Sequence, residues 1–419
     1  VSAAALSASR LTLPGVMDAE GRVDESRLRM HIFKNGVSPS ERGLAWRFLF
    51  GMYPCSSTAL ERSLLREQLL VRYQVMKRKW QQCLPSAVRM QLNGTDELLA
   101  AVRYFDQREA QTQQQDQDQS EEVKDRLAFL ELQAQQILFE RITFDLEELR
   151  EATRIIDKDV PRTSRDLSFY DEGLGNLLVL RDILITYAAF HPVSYAQGMN
   201  DLCSRFLEVL DSEVDTFWSF SSYMEKFSRD FMADGLHRKI LEAALLKELD
   251  PPLYAHLVKD NMESFTFCHW LLLGFQREFE HSDALRLFEI LSCDHLELIS
   301  QQVDRARYQE RLDQKHYIDR SESPRQTFNT DFTFELFICA AILLDNRESL
   351  LRCQDDVQLI QFTSSLQGKL DLNSTLEKAE SHFYNYCKRC AWDYMNGHCR
   401  ENSSKPEDFF YQLRSLFVL

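Results

Sequence analysis

Apolar residues recur along this chain at the spacing of an α-helix and almost nowhere at the spacing of a strand. In Leu177 to Phe190, the residues Leu177, Leu180, Leu184, Tyr187 and Ala188 fall at three- and four-residue intervals and would share one helix face. Similar patterns continue to the C-terminus, while alternation bounded by turn residues is nearly absent and no repeat of fixed period stands out. This predicts an all-α fold. Gly and Pro are sparse, 13 and 10 of 419 residues, and no long linker divides the chain, so one continuous helical body is expected. With 44% hydrophobic residues, such a body can bury its core without metals or disulfides.

Charge narrows the partners. A formal net charge of -16 sets the global field against a phosphate backbone, so no nucleic acid is expected, although a local basic surface is allowed. The 10 cysteines are scattered, and Cys203 in DLCSRFLEVL and Cys339 in FELFICAAILL read as reduced core residues. The first residues, VSAAALSASRLTLPG, lack a charged start followed by an apolar core. The apolar run Phe332 to Leu344 is interrupted by Glu335 and too short to span a bilayer. The expectation is a cytosolic protein.

Two stretches break the helical texture. Gln107 to Arg126 is polar throughout and predicts an exposed insertion that feeds a long helix from about Ser120 to Ile156, with Leu127, Leu130, Ala134, Ile137, Leu138 and Ile142 on its buried side. Gln301 to Thr330 reads as a second insertion.

The familiar signatures of nucleotide and hydrolase chemistry, HExxH, GxSxG, GxGxxG and GxxxxGK[ST], are absent, so any nucleotide this chain acts on must be held by a partner. Two segments stand out instead. In Ile156-Asp157-Lys158-Asp159-Val160-Pro161-Arg162-Thr163, Pro161 cannot continue a helix, which places Arg162 just outside a helix end. A guanidinium there suits insertion beside phosphate oxygens; taken alone, an arginine reads first as a surface salt bridge. In Tyr195-Ala196-Gln197-Gly198-Met199-Asn200-Asp201, after the breaker His191-Pro192, Gln197 sits on a turn before the next helix. Its carboxamide can donate and accept at once, as orienting a water requires, yet the segment can also be a plain structural turn around Gly198.

Together these residues resemble the TBC-domain Rab GTPase-activating family. Ile156-x-x-Asp159-x-x-Arg162 is similar to its IxxDxxR motif and Tyr195-x-Gln197-Gly198 to its YxQG motif. Gly36 and Val37 with Arg42, Trp46 and Gly51 resemble the family's opening element; EVDTFWSF from Glu213, DPPLYAHL, Trp270 and GFQREF resemble later ones. The resemblance covers about Met30 to Ser300. Phe288 stands where the family usually has tryptophan, and Arg205 where it has a proline, which would add charge near the partner-facing surface.

The resemblance implies a two-lobed helical domain over 30–400, with a finger-bearing lobe at about 30–212, a second lobe at about 213–400 and insertions at about 107–120 and 301–330. Extensions of 1–29 and 401–419 would flank it. It implies Arg162 and Gln197 as catalytic residues supplied in trans to a GTP-bound Rab small GTPase, with GTP and Mg2+ held by that partner and no cofactor or intrinsic nucleotide hydrolysis of its own. Ile156, Asp159, Thr163, Tyr195 and Gly198 would support the two loops, and Gly36, Arg42, Trp46 and Gly51 would be structural. Asp159 alone can also be an ordinary solvated carboxylate. A Rab-binding adaptor with negligible activity is the alternative. Membrane association would be peripheral and through partners, and similarity is greatest to members in late endosomal, autophagic and mitochondrial traffic.

One cluster falls outside the resemblance. Cys387-x-x-Cys390, with His382 before it and His398-Cys399 after it, has the ligand types for zinc, while Phe383, Tyr386, Trp392 and Tyr394 around it read as helix core. No metal is expected.

Overall fold

The computed structural model describes residues 13–84, 121–141, 144–164, 167–171, 174–231, 244–258, 267–294 and 333–398. Both polar insertions, at 107–120 and 301–330, and the extension at 401–419 lie outside these residues. Among the described residues the regular elements are helices, joined by two isolated β-bridges, Met17 to Val23 and Phe279 to Leu370.

The chain forms two compact units, one of Val1–Leu28 with Val37–Ala233, the other of Arg29–Gly36 with Asp234–Leu419. These differ from lobes at about 30–212 and 213–400. Leu13, Val16, Val23 and Leu28, within the expected N-terminal extension, are buried, and the helix at Glu213–Phe227 falls in the first unit.

Apart from the single turn Ser168–Asp171, the described α-helices up to that point are α1 (Glu25–Asn35), α2 (Arg42–Leu49), α3 (Ala59–Cys83), α4 (Glu121–Arg141), α5 (Leu146–Asp159), α6 (Leu174–Phe190), α7 (Met199–Leu210) and α8 (Glu213–Phe227). A reciprocal cap starts α3: the Glu61 amide donates to Thr58 Oγ1 at 3.2 Å, and the Thr58 amide donates to the Glu61 carboxylate at 2.7 Å. The single helix expected from Ser120 to Ile156 is instead two, α4 and α5. Asp145 begins the second one by accepting from the amides of Glu147 and Glu148 at 2.8 and 3.2 Å. An Asp cap satisfies donors that a through-running helix would have bonded itself, so the chain breaks there. In α4, Ala134 is buried and Leu127 and Leu130 are half-buried; the side chains of Ile137, Leu138 and Ile142 lie outside the described residues.

Helix α6 organises the first unit. The periodic residues picked out one face, but Leu178, Val179, Ile183 and Ile185 are buried as well, each at most 3% exposed, so the helix is enclosed by α3, α5, α7 and α8. Fully burying such a side chain stabilises by roughly 1.5–3 kcal/mol. The two charges carried inward with it need partners. Arg181 Nε donates to Asp157 at 2.6 Å, and Asp182 accepts from Lys77 Nζ at 2.7 Å. Lys77 also reaches Glu213 at 2.7 Å, which accepts from the Tyr73 hydroxyl at the same distance. Burial alone would push Lys77 toward its neutral amine; Asp182 and Glu213 outweigh it and raise its pKa, while burial still raises that of Asp182.

The second unit contains α9 (Pro251–Val258), α10 (Phe267–Leu272), α11 (His281–Ser292), α12 (Phe334–Asp345), α13 (Asp356–Ser365) and α14 (Leu372–His398). Its core is α12, where Phe334 and Phe337 meet Phe383 of α14 edge-on at 5.8 and 5.1 Å. Trp270 and Phe288 are buried too, so Phe288 is a packing residue. Cys203 and Cys339 are fully buried and form no disulfide. No helix among the described residues is long and apolar enough to cross a membrane. The side chains of Cys387, Cys390, Trp392, Tyr394 and His398, and all of Cys399, lie outside the described residues. Among those described, no three His, Cys, Asp or Glu side chains could hold a metal ion.

Candidate functional site

Leu149, Ala152, Ile156 and Asp159 lie along the buried face of α5, so the last residue on the core side of this helix is a carboxylate. Pro161 then stops the α-helix, because its nitrogen carries no hydrogen, and the chain tightens into a 3-10 turn, Val160–Arg162. Arg162 thus lies just outside the α-helix, as the last residue of that turn. Thr163 closes the turn by donating its amide to Val160 at 3.1 Å. Ser164 adopts a left-handed backbone, with φ 43°, and turns the chain away.

The second loop follows α6. His191 stacks on Tyr187 at 4.1 Å, and after Pro192 the chain runs through Tyr195 to Gly198, the residue before α7. Gly198 has φ 101°, a conformation that a side chain would strain, so glycine here lets Gln197 lie outside the helix while α7 starts at once.

Buried polar groups join the loops. The Tyr195 hydroxyl donates to Asp159 Oδ2 at 2.8 Å and, more weakly, to Asn200 Oδ1 at 3.1 Å. Asn200 Nδ2 donates to Thr163 Oγ1 at 2.9 Å, and Thr163 Oγ1 donates to the Asp159 carbonyl at 3.0 Å. The other Asp159 oxygen, Oδ1, accepts from the Arg162 guanidinium. Burial first, and the Asp159 charge second, raise the Tyr195 pKa, so this hydroxyl stays a donor. Asp159 is 2% exposed and so is not the solvated carboxylate it could have been.

Arg162 and Gln197 themselves face outward. The Arg162 side chain is 60% exposed despite its ion pair, and the Gln197 carboxamide makes no hydrogen bond among the described residues. The exposed side of the guanidinium, away from Asp159, is open to an incoming anion that could compete for it. The site can therefore offer a cation and a carboxamide, from two braced loops, to something outside the chain.

The remaining sequence-derived residues divide cleanly. Ile156 is fully buried and anchors α5, while Thr163 and Tyr195 belong to the brace and Gly198 sets the turn. Trp46 is fully buried, edge-on to Phe50 and Phe206 at 5.1 and 5.4 Å, and Arg42 is half-buried on α2. Gly36 and Gly51 have φ of 67° and 72°; at Gly51 an added Cβ would also lie 3.2 Å from Ser222 Oγ. Arg205 does not add surface charge, since it points from α7 into the interior and is 2% exposed. Asn200 was missed by sequence reasoning. Its partner Thr163 is 37 residues away, and beside the acidic Asp201 in the first turn of α7 a polar Asn200 carries no local sign of burial.

A family model for the Rab-GTPase-TBC domain matches residues 77–303, more than half of the chain. The GTPase-activating protein GYP7 of Yarrowia lipolytica is 27% identical over 413 residues, which are 95% of this chain and 47% of the relative. TBC1 domain family member 17 of Homo sapiens is 32% identical over 285 residues, 65% of this chain and 35% of the relative. The chain thus spans about a third to a half of these curated relatives. The solved Ypt/Rab-GAP domain of Gyp1p superposes with a TM-score of 0.56 at 15% identity, covering 93% of this chain and 100% of that one, a likeness of fold.

Proposed function

The chain belongs to the Rab-GTPase-TBC domain family, and from that premise we propose that it accelerates GTP hydrolysis by a Rab-family GTPase, using Arg162 and Gln197 in trans. The observation that carries this reading is the pairing of two exposed side chains of complementary chemistry on loops tied by Asp159, Tyr195, Asn200 and Thr163. A small GTPase that already holds GTP and Mg2+ hydrolyses slowly because charge on the transferring phosphoryl group is poorly stabilised and the attacking water poorly placed. Arg162 would leave Asp159 for the phosphate oxygens and stabilise that charge. Gln197 would accept from the water and donate toward the phosphoryl group, replacing the partner's own glutamine. An arginine supplied this way is worth about 10³ to 10⁵ in rate, or roughly 4–7 kcal/mol of barrier.

In this reading the protein is cytoplasmic, is recruited to endomembranes through its partner, and acts in vesicle-mediated traffic, with endosomal and autophagic membranes the favoured sites. A multiple-turnover hydrolysis screen across a panel of GTP-loaded Rabs tests it: acceleration of at least one Rab is expected, and none would overturn it. The ion pair that engages Arg162 in the free protein favours a second reading, a Rab-binding adaptor, which binding without acceleration in the same screen would select.

A further inference from the structure

Asn200 is buried, 5% exposed, in the first turn of α7. A carboxamide there has two acceptor sites and two donor hydrogens to satisfy. Oδ1 accepts from the Gly198 amide at 3.2 Å and from the Tyr195 hydroxyl at 3.1 Å. Nδ2 donates to Thr163 Oγ1 at 2.9 Å and lies 3.4 Å from Asp201 Oδ1. The surroundings determine which atom is nitrogen. Thr163 has committed its proton to the Asp159 carbonyl, so its oxygen needs a donor, while the Gly198 amide needs an acceptor; the single Tyr195 proton goes chiefly to Asp159 and is shared with Oδ1 only in part.

The placement of these bonds is unusual in one respect. Thr163 directly follows Arg162 in the chain, and Gly198 directly follows Gln197. One planar side chain is therefore bonded to the residue after each exposed group. We infer that Asn200 is a positioning residue that holds the arginine and glutamine loops in a single fixed relation, so that both groups reach the reacting centre together. This rests on the function proposed above. It adds that the two loops act as one preorganised unit, for which a misplacement of about 1 Å costs on the order of 10²-fold in rate.

The bond to Thr163 can be removed with little change of shape by Thr163→Val and retained by Thr163→Ser, which keeps the proposal testable if Asn200→Ala fails to fold. Kinetics of a Rab that the wild type accelerates, with melting temperatures, should show Thr163→Val lowering kcat at least tenfold with KM within threefold. Thr163→Ser should stay within threefold of wild type in both. In single turnover, the Thr163→Val effect should shrink below threefold when Arg162 and Gln197 are both alanine. Wild-type kcat in Thr163→Val, or a loss that Thr163→Ser shares or that persists undiminished in the double-alanine background, would overturn the inference while leaving the Rab-directed activity standing.

Amide hydrogen exchange of the free protein gives a readout that needs no GTPase. Thr163→Val, a change in the arginine loop, should speed exchange at least threefold in the peptide spanning Tyr195 to Met199, and Thr163→Ser should not. Unchanged exchange there in Thr163→Val overturns the inference even if no Rab is accelerated, which separates its failure from failure of the proposed function.

Discussion

The arginine loop and the glutamine loop present their side chains by opposite means. Arg162 lies where a helix is stopped by proline, and Gln197 where a helix is started by a glycine with φ 101°. The arginine is engaged in the free protein, by Asp159, while the glutamine is not engaged by any described residue. A charge near a helix C-terminus has both the helix dipole and a carboxylate to attract it, whereas a neutral carboxamide has little to gain from either. The difference teaches that the cation is held by attraction at its own side chain, whereas the amide is placed only through its loop, by the turn at Gly198 and the bonds that Tyr195 and Asn200 make.

The sharpest break of this comparison is Arg162→Ala, for which a loss of about 10³ to 10⁵ in kcat/KM is expected, with the fold retained and a melting temperature lowered no more than in Tyr195→Phe, since water can enter the space the arginine leaves beside Asp159. Arg162→Lys should lose nearly as much, because an ammonium cannot bridge two phosphate oxygens as a planar fork does. Turnover like wild type in the alanine variant would reduce Arg162 to a surface ion pair. Next in size is Gln197→Ala, at about 10²- to 10³-fold, the usual effect of deleting one oriented hydrogen-bonding group. The partner supplies the control: wild-type protein should still accelerate a Rab whose own catalytic glutamine is alanine, and Gln197→Ala should not. If the glutamine-less Rab is inert with the wild type and Gln197→Ala is fully active on a normal Rab, the second loop is only a turn.

Tyr195→Phe separates brace from chemistry. It leaves a buried Asp159 oxygen short of a donor, which costs about 1–3 kcal/mol, so a melting temperature several degrees lower is expected, with a smaller activity loss than either loop variant. A neutral effect on stability would mean that the hydroxyl does not brace the loops.

The smallest effect lies away from both loops. Burial first, and Glu377 second, push the Glu380 carboxyl of α14 up from its ordinary 4.5 to about 7. A folded-state pKa above the unfolded one means stability that is fully present below pH 4.5 and lost as pH rises through 7. Raising the pH from 5 to 8 should therefore lower the melting temperature modestly, and Glu380→Gln should flatten that dependence without altering kcat. A kcat that followed the Glu380 titration would show that the contrast is not confined to the two loops.

What could be read from the sequence was what local chemistry dictates. Pro161 must end a helix and Gly198 must permit an unusual turn, whatever lies around them, so the positions of Arg162 and Gln197 outside regular helix were legible. Features that depend on distant contacts were not. The single helix expected from Ser120 to Ile156 missed Asp145, because an Asp is unremarkable until its side chain is seen capping two amides. The inward turn of Arg205 and the bond from Asn200 to Thr163 likewise depend on packing that no local pattern records. The enclosure of α6 was illegible for a different reason. Five periodic residues define a stripe, but the residues between them are apolar too, and enclosure on all sides has no period to detect.

That enclosure bears on how a molecule of this kind can change its partner preference. A helix without a wet side offers few positions where a substitution is silent, because added or removed volume in a packed interior usually destabilises by more than 1 kcal/mol. Variation that alters recognition must therefore accumulate elsewhere, on helices that keep one face in water, such as α3 with its exposed Leu60 and α4 with its exposed Phe129 and Leu132. The part of the chain that leads from one loop to the other is then the slowest to drift, and a change of specificity can proceed around it while the spacing of the two loops is inherited intact.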